Sequence, residues 1–177
     1  RKEATIIALG SVMAQQSSDF AGQSLSKKID QLLQQDYQLQ ISQQSLEKLQ
    51  QQVAAVGKDH NKNLAILGKS LNDQLPRELR ISSEMLRPVT LTFAHDCREQ
   101  VSRLLREVEP ALLDDILDKG LLLSGALAQL PGLEAYLTKQ LGLPVAVVEE
   151  PALAALEGAA LMLLSLAEFK GSLAFVG

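Results

Sequence analysis

Two short, wholly apolar runs in the last third of the chain, 121–123 (LLL) and 145–148 (VAVV), each hand over to a segment with helical periodicity. A strand that is apolar at every position must be covered on both faces. A strand–helix–strand–helix order with such strands is met by a parallel sheet flanked by helices. The helix between the runs carries Leu133, Tyr136, Leu137 and Leu141 at helical spacing, and the helix expected over 152–166 is rich in small residues. This pattern places the chain in the α/β class.

The first part of the chain adds different elements. Residues 5–9 (TIIAL) read as a strand, turned through Gly10-Ser11 into a second strand over 12–18, so the sheet is expected to be mixed. Leu25, Ile29, Leu32, Leu33 and Tyr37 mark one helix. Leu46, Leu49, Val53 and Val56 mark another, with Gly57 placed to stop it. The glutamines of this region stand between apolar positions that keep their period, which reads as a solvated helix face. Two weaker strands, 63–71 and 77–81, join across Asn72-Asp73. Ser82 or Ser83 caps the next helix, which Pro88 is expected to bend or delay and whose later part shows a stripe at Val101, Leu104, Leu105 and Val108. Pro110 opens a further helix, with Leu112, Leu113, Ile116 and Leu117 expected inward.

Composition removes several function classes. With 17 Lys and Arg against 21 Asp and Glu, the net charge is -4, which argues against nucleic acid as a partner. One cysteine excludes a disulfide framework and a Cys-rich zinc site, and fits a reducing compartment. The longest apolar run, 159–164, is far shorter than the roughly 20 residues of a membrane span. The chain opens on Arg1 with no signal-peptide pattern, and is expected to be a piece of a longer protein.

Common catalytic signatures are missing: no Walker A loop, G-x-G-x-x-G, HExxH or G-x-S-x-G occurs. His95 and Cys97 fall two apart on a helix, on different faces; an activated pair would need them together, and ordinary helix residues would not. Asp114, Asp115 and Asp118 cluster on one helix, either as a dyad or metal site or as a solvated face. The Ser124-Gly125 bend closes a buried strand at its carboxyl end, where open α/β sheets bind ligands. Gly125 permits close backbone approach and a following helix would offer free N–H groups, although a plain β–α turn gives the same pattern.

Residues 118–163 resemble the last part of the MreB family of bacterial actin homologues. Asp118, Gly120, Gly125, Gly132, Leu133, Gly142, Leu143, Pro144, Val145, Glu149, Pro151, Leu153 and Gly158 fall in the family's register. The similarity continues upstream through 81–116, Ser45-Leu46-Glu47-Lys48-Leu49, Ala21-Gly22 and Ile7-Ala8-Leu9-Gly10, in order and at the family's spacing. FtsA and pilus-assembly proteins share parts of the same pattern.

The resemblance implies the second half of an actin fold. Residues 1–21 and 82–177 would form a large ribonuclease-H-like subdomain, a mixed sheet flanked by helices; residues 22–81 would form a small inserted α+β subdomain. It also implies ATP with magnesium in a cleft between two such halves. Glu47 and Lys48 would flank the adenosine, and Ser124, Gly125 and Ala126 would form the turn beneath the nucleotide. Self-association into filaments, contact with cell-wall or membrane-associated assembly proteins, and cell-shape control follow from the same kinship. So does a cytoplasmic location, peripheral to the inner membrane, with membrane contact indirect or through segments outside this chain.

Three departures qualify that expectation. Gln23 and Ser26 stand where the family has acids, and the family's triple glycine becomes Gly125-Ala126-Leu127. The phosphate loop that would precede the first strand, and the metal-positioning acid of the other half, lie outside the sequence. Phosphoryl transfer needs clamps from both sides, so the chain alone is expected to hydrolyse ATP poorly or not at all. The alternative is a nucleotide-inactive actin-like scaffold of a pilus or secretion assembly. A chaperone-type ATPase domain fits the segment at 142–151 less well, and a stand-alone enzyme least of all.

Overall fold

A computed structural model describes residues 1–164. The chain opens with an antiparallel hairpin, β1 (Lys2–Ala8) and β2 (Ser11–Ser18). Leu9 and Gly10 both take positive φ, 52° and 75°, so the turn is a two-residue loop of the type whose twist suits a hairpin. It therefore comes one residue earlier than Gly10-Ser11. Helix α1 (Gly22–Tyr37) follows, then β3 (Leu39–Gln40), which is too short to show an alternation in sequence. Helix α2 (Gln43–Gln52) starts where Ser42 Oγ accepts from the Ser45 N–H at 3.2 Å.

Strands β4 (Asn63–Ser70) and β5 (Pro76–Ser82) pair antiparallel, and β3 adds to β4, giving a three-stranded sheet. Helix α3 (Ser83–Arg106) is capped by Ser82, whose hydroxyl accepts from the Met85 N–H at 3.3 Å. Pro88 does not delay it: the helix starts five residues earlier and runs through. Helix α4 (Pro110–Lys119) has Pro110 in its first turn but buries no residue, and Leu117 is exposed, so its apolar stripe is not the inward face expected. Strand β6 (Leu121–Leu123), a 3₁₀ turn (Ala126–Gln129), α5 (Leu133–Leu141), β7 (Val145–Val147) and α6 (Ala154–Leu164) complete the chain. The last two residues of the helix expected over 152–166 lie outside the described residues.

Strands β6 and β7 pair in parallel, as a crossover through α5 requires. The hairpin and this parallel pair are both present, as separate ladders that no strand among the described residues joins by hydrogen bonds.

One core joins these pieces. Leu25, Ile29 and Leu33 of α1, Leu46 and Leu49 of α2, Leu86, Phe93 and Ala94 of α3, and Leu133 and Leu137 of α5 belong to it. Val53 to Val56 are buried too, but not as helix. Helix α2 stops at Gln52, and the next residues run as a strap between α3 and the loop before α5. The fully buried Thr90 donates from Oγ1 to the Ala55 carbonyl at 2.6 Å. The Val56 and Gly57 N–H groups both donate to the Pro131 carbonyl, at 2.8 and 3.2 Å. Gly57 is thus a site of close backbone approach and not the helix stop: a Cβ built on Gly132 would lie 2.6 Å from Gly57 Cα.

The hairpin is held to α3 by polar groups. Gln100, buried, donates from Nε2 to the Gln16 carbonyl at 2.7 Å. Lys2 Nζ lies 2.6 Å from Asp96 Oδ2, which also accepts from Ser18 Oγ at 3.0 Å. The same ammonium donates to Cys97 Sγ at 3.2 Å and stands 4.8 Å from the Phe93 ring centroid. Partial burial works against ionisation of Asp96, but Lys2 and the Ser18 hydroxyl outweigh it and hold the carboxyl below its ordinary value. Burial raises the Cys97 thiol, against the pull of Lys2.

Two outcomes follow. Gly132→Ala places a methyl group against Gly57 at a backbone φ of +81° and is expected to cost about 2–4 kcal/mol in urea unfolding. A loss under 0.5 kcal/mol would show that the strap can move aside. Asp96→Asn is expected to cost about 1 kcal/mol at pH 7, a figure already discounted because the Asp96 side chain is 39% exposed. The folded carboxyl ionises at lower pH than the unfolded one. Its contribution is therefore full above the ordinary carboxylate range and disappears as the pH falls through the folded value. Paired urea titrations of both proteins from pH 7 downward should converge.

Candidate functional site

A hollow of about 610 Å³ lies between α1 and α2, lined by Gly22, Gln23, Ser26, Lys27, Asp30, Gln43, Leu46, Glu47 and Gln50. The two helices present these residues by periodicity: positions 22, 23, 26, 27 and 30 share one face of α1, and 43, 46, 47 and 50 one face of α2. Leu25, Ile29, Leu33 and Leu49 on the adjoining faces are fully buried, which fixes the rotation of both helices and aims the polar faces into the hollow.

The walls are hydrogen-bonded to each other and within themselves. Ser26, buried, donates from Oγ to Gln50 Oε1 at 2.5 Å, bridging α1 to α2. Gln43 Nε2 donates to Glu47 Oε1 at 3.2 Å. Gln34 Nε2 donates to Asp30 Oδ2 at 2.8 Å, while Asp30 Oδ1 is buried without a partner among the described residues. Amide donors, carboxylate acceptors and an apolar patch at Leu46 suit a small ligand with a polar edge. Among the described residues lining the hollow, no nucleophile stands with a base.

The expected site residues divide. Glu47 lines the hollow. Lys48, one residue on, is exposed and outside the lining. Ser124, Gly125 and Ala126 form an exposed bend after β6, with Gly125 at φ +90° and its N–H donating to the Pro151 carbonyl at 2.5 Å. A 3₁₀ turn follows Gly125 and the α-helix starts only at Leu133, so the free N–H groups expected next to the bend are not those of an α-helix. The bend does not line the hollow, but Leu127, next in the turn, reaches its edge: its Cδ1 stands 3.9 Å from where a Cβ on Gly22 would be, and Gln50 Nε2 stands 3.7 Å from the same point. Gln43 and Gln50 were legible only as helix neighbours of Glu47 at i−4 and i+3, and Asp30 only as the neighbour of Ser26 at i+4.

Other candidates are elsewhere. His95 is exposed on α3, and Cys97 faces Lys2. Among the described residues no group of three or more His, Cys, Asp or Glu could hold a metal ion. No helix among them is long and apolar enough to cross a membrane.

The family model described as MreB/Mbl protein matches residues 1–171. The chain belongs to the MreB/Mbl family. Among curated relatives of this MreB/Mbl chain, the cell shape-determining protein Mbl of Bacillus subtilis is 26% identical over 147 residues, covering 82% of the chain and 44% of the relative. The cell shape-determining protein MreB of Escherichia coli is 24% identical over 150 residues, covering 84% and 43%. The chain therefore spans less than half the length of either. Of solved structures, MreB 5 of Spiroplasma citri bound to AMPPNP superposes with a TM-score of 0.90 at 24% identity, over 97% of this chain and 52% of that one. A MamK double helical filament superposes at 0.65 with 19% identity, over 78% and 42%. The fold of this MreB/Mbl chain is thus that of the actin-like ATPases.

The Ser26–Gln50 bond generates a prediction of its own. Ser26→Ala removes the only side-chain bridge the described residues show between α1 and α2, and is expected to cost about 1 kcal/mol in thermal or urea unfolding. A variant as stable as the parent would mean that Gln50 is held by something else.

Proposed function

We propose that this chain is one half of an actin-like cytoskeletal protein that binds an adenine nucleotide between α1 and α2, assembles into filaments and takes part in determining cell shape. The observation that carries this reading is the common edge at Gly22, where α1, the Gln50 side chain of α2 and the Leu127 side chain of the post-β6 turn converge. A ligand lying across that edge would meet Glu47 on one side and the Ser124–Ala126 backbone on the other. The donor set fits an adenosine moiety: Glu47 and the free oxygen of Asp30 can accept from ribose or amino hydrogens, and the glutamine amides can pair with ring nitrogens. Lys48, exposed at the rim, would act as a charge near the nucleotide and not as a wall of its site.

The described residues fit the nucleoside better than they fit magnesium. They bring no acidic cluster together, so magnesium would arrive with the triphosphate as its counter-ion. Support for nucleotide binding also comes from the fold neighbours, MreB 5 bound to AMPPNP and to ADP. Support for filaments comes from the MamK double helical filament. We place residues 1–21 and 82–177 in the larger subdomain and 22–81 in the smaller one, with the protein in the cytoplasm and in contact with membrane-associated assembly proteins. The altered triple glycine, with the half-buried Leu127 at its third position, favours a second reading, a scaffold that no longer cycles nucleotide.

Calorimetry of the full gene product with ATP and magnesium separates the two. The cytoskeletal reading expects saturable heat, an affinity weakened about tenfold by Glu47→Ala and less by Lys48→Ala, and filaments by electron microscopy. No heat at millimolar ATP, with filaments still present, would establish the scaffold. Monomers under every condition would end the filament reading.

A further inference from the structure

We propose that Leu127 is a plug that sets nucleotide affinity, competing with the ligand for the space over Gly22. This rests on the nucleotide reading above and adds the residue that regulates the site. Three observations meet here. Gly22 presents no side chain at the mouth of the hollow, and the space a Cβ would take is approached from two separate elements, by Leu127 Cδ1 at 3.9 Å and Gln50 Nε2 at 3.7 Å. Gln50 is not free to leave, because the buried Ser26 holds its Oε1 at 2.5 Å. The hollow is walled by α1 and α2 alone, and Leu127, next in sequence after the Ser124–Ala126 bend, reaches its edge at Gly22.

The chemistry of the plug is apolar and its anchoring is weak. Leu127 packs against the rim of the core and is only half buried, on a four-residue 3₁₀ turn whose neighbours Ser124, Gly125 and Ala126 are exposed. A side chain so placed can rotate out without opening the core, whereas Leu25, Ile29 and Leu49 beneath the hollow cannot. A nucleoside entering between Gly22 and the bend must displace it. The ligand then replaces the leucine's packing with its own, and its net affinity is reduced by whatever the plugged state was worth. A methyl group in place of the isobutyl group removes the competitor and leaves the polar walls untouched.

The test is titration of the full gene product and its Leu127→Ala variant with AMPPNP and magnesium, followed by calorimetry, with tripolyphosphate and magnesium as the control ligand. The proposal expects AMPPNP to bind Leu127→Ala at least tenfold more tightly, tripolyphosphate binding to be unchanged, and Leu127→Met to behave as the parent. Circular dichroism checks that the variants are folded. If Leu127→Ala does not fold, Leu127→Val, which shortens the same side chain and leaves the polar walls in place, is expected to raise the affinity at least threefold. Nucleotide binding by the parent with no gain in a folded variant overturns the plug and leaves the nucleotide reading standing. No binding by the parent or by either variant at millimolar AMPPNP overturns both.

Discussion

The backbone contact between Val56–Gly57 and Pro131–Gly132 governs the geometry of the rest. The Pro131 carbonyl accepts from two successive N–H groups of the strap, and Gly132 has no room for a side chain because a Cβ there would run into the Gly57 backbone. On one side the strap continues from α2, which carries Glu47 and Gln50. On the other, Pro131 lies shortly after the turn that carries Leu127. Residues some eighty positions apart in sequence are thereby set against one another at Gly22, with no side chain of the hollow itself responsible. Buried backbone groups must pair, and these can pair only with each other in this register. The contact is therefore a constraint on the site as well as on the fold.

A second layer of polar contacts holds the hairpin to this frame. A two-stranded hairpin is marginal by itself, and the exposed Ile7, Leu9, Val12 and Met13 show that its outer surface contributes no burial. Its attachment depends on Gln100 at the Gln16 carbonyl, on Lys2 between Asp96, Cys97 and Phe93, and on Ser18 at Asp96. Each is a modest interaction, but all of them lie on one face of α3, so they are made together or not at all. Helix α3 is thus the spine: it takes the hairpin on one side and Ala55, α1 and α5 on others, which is why a proline within it is tolerated where a helix so heavily packed cannot easily break.

Legibility in the sequence followed periodicity. The parallel β6–α5–β7 unit was readable because Leu121–Leu123 and Val145–Val147 are apolar throughout and Leu133 and Leu137 repeat at helical spacing. Helices α1 and α3 showed their stripes for the same reason. The strap did not: Val53 and Val56 continue the helical period of α2, and only the long-range bonds to Pro131 and Thr90 reveal that the chain has left the helix. Strand β3 is two residues long and carries no pattern. Helix α4 shows the opposite failure, an apolar period none of whose residues is buried. At the site, Glu47 and the bend were visible through resemblance to a family. Their separation by Leu127, and the bridge from Ser26 to Gln50, depend on distances that no local pattern encodes.

Those two features belong together. Where the family has acids at two positions of α1, this chain carries Gln23 and Ser26, and the buried Ser26 hydroxyl now spends its proton on Gln50. An ionised carboxylate at position 26 would be acceptor-only and would draw the Gln50 amide hydrogens toward itself; the hydroxyl instead holds Oε1 and turns Nε2 outward to Gly22. The amide at the mouth and the leucine opposite it then close on the same point from two sides. The Ser26–Gln50 bond and the bulk of Leu127 in the turn thus act at one place, the mouth of the hollow at Gly22.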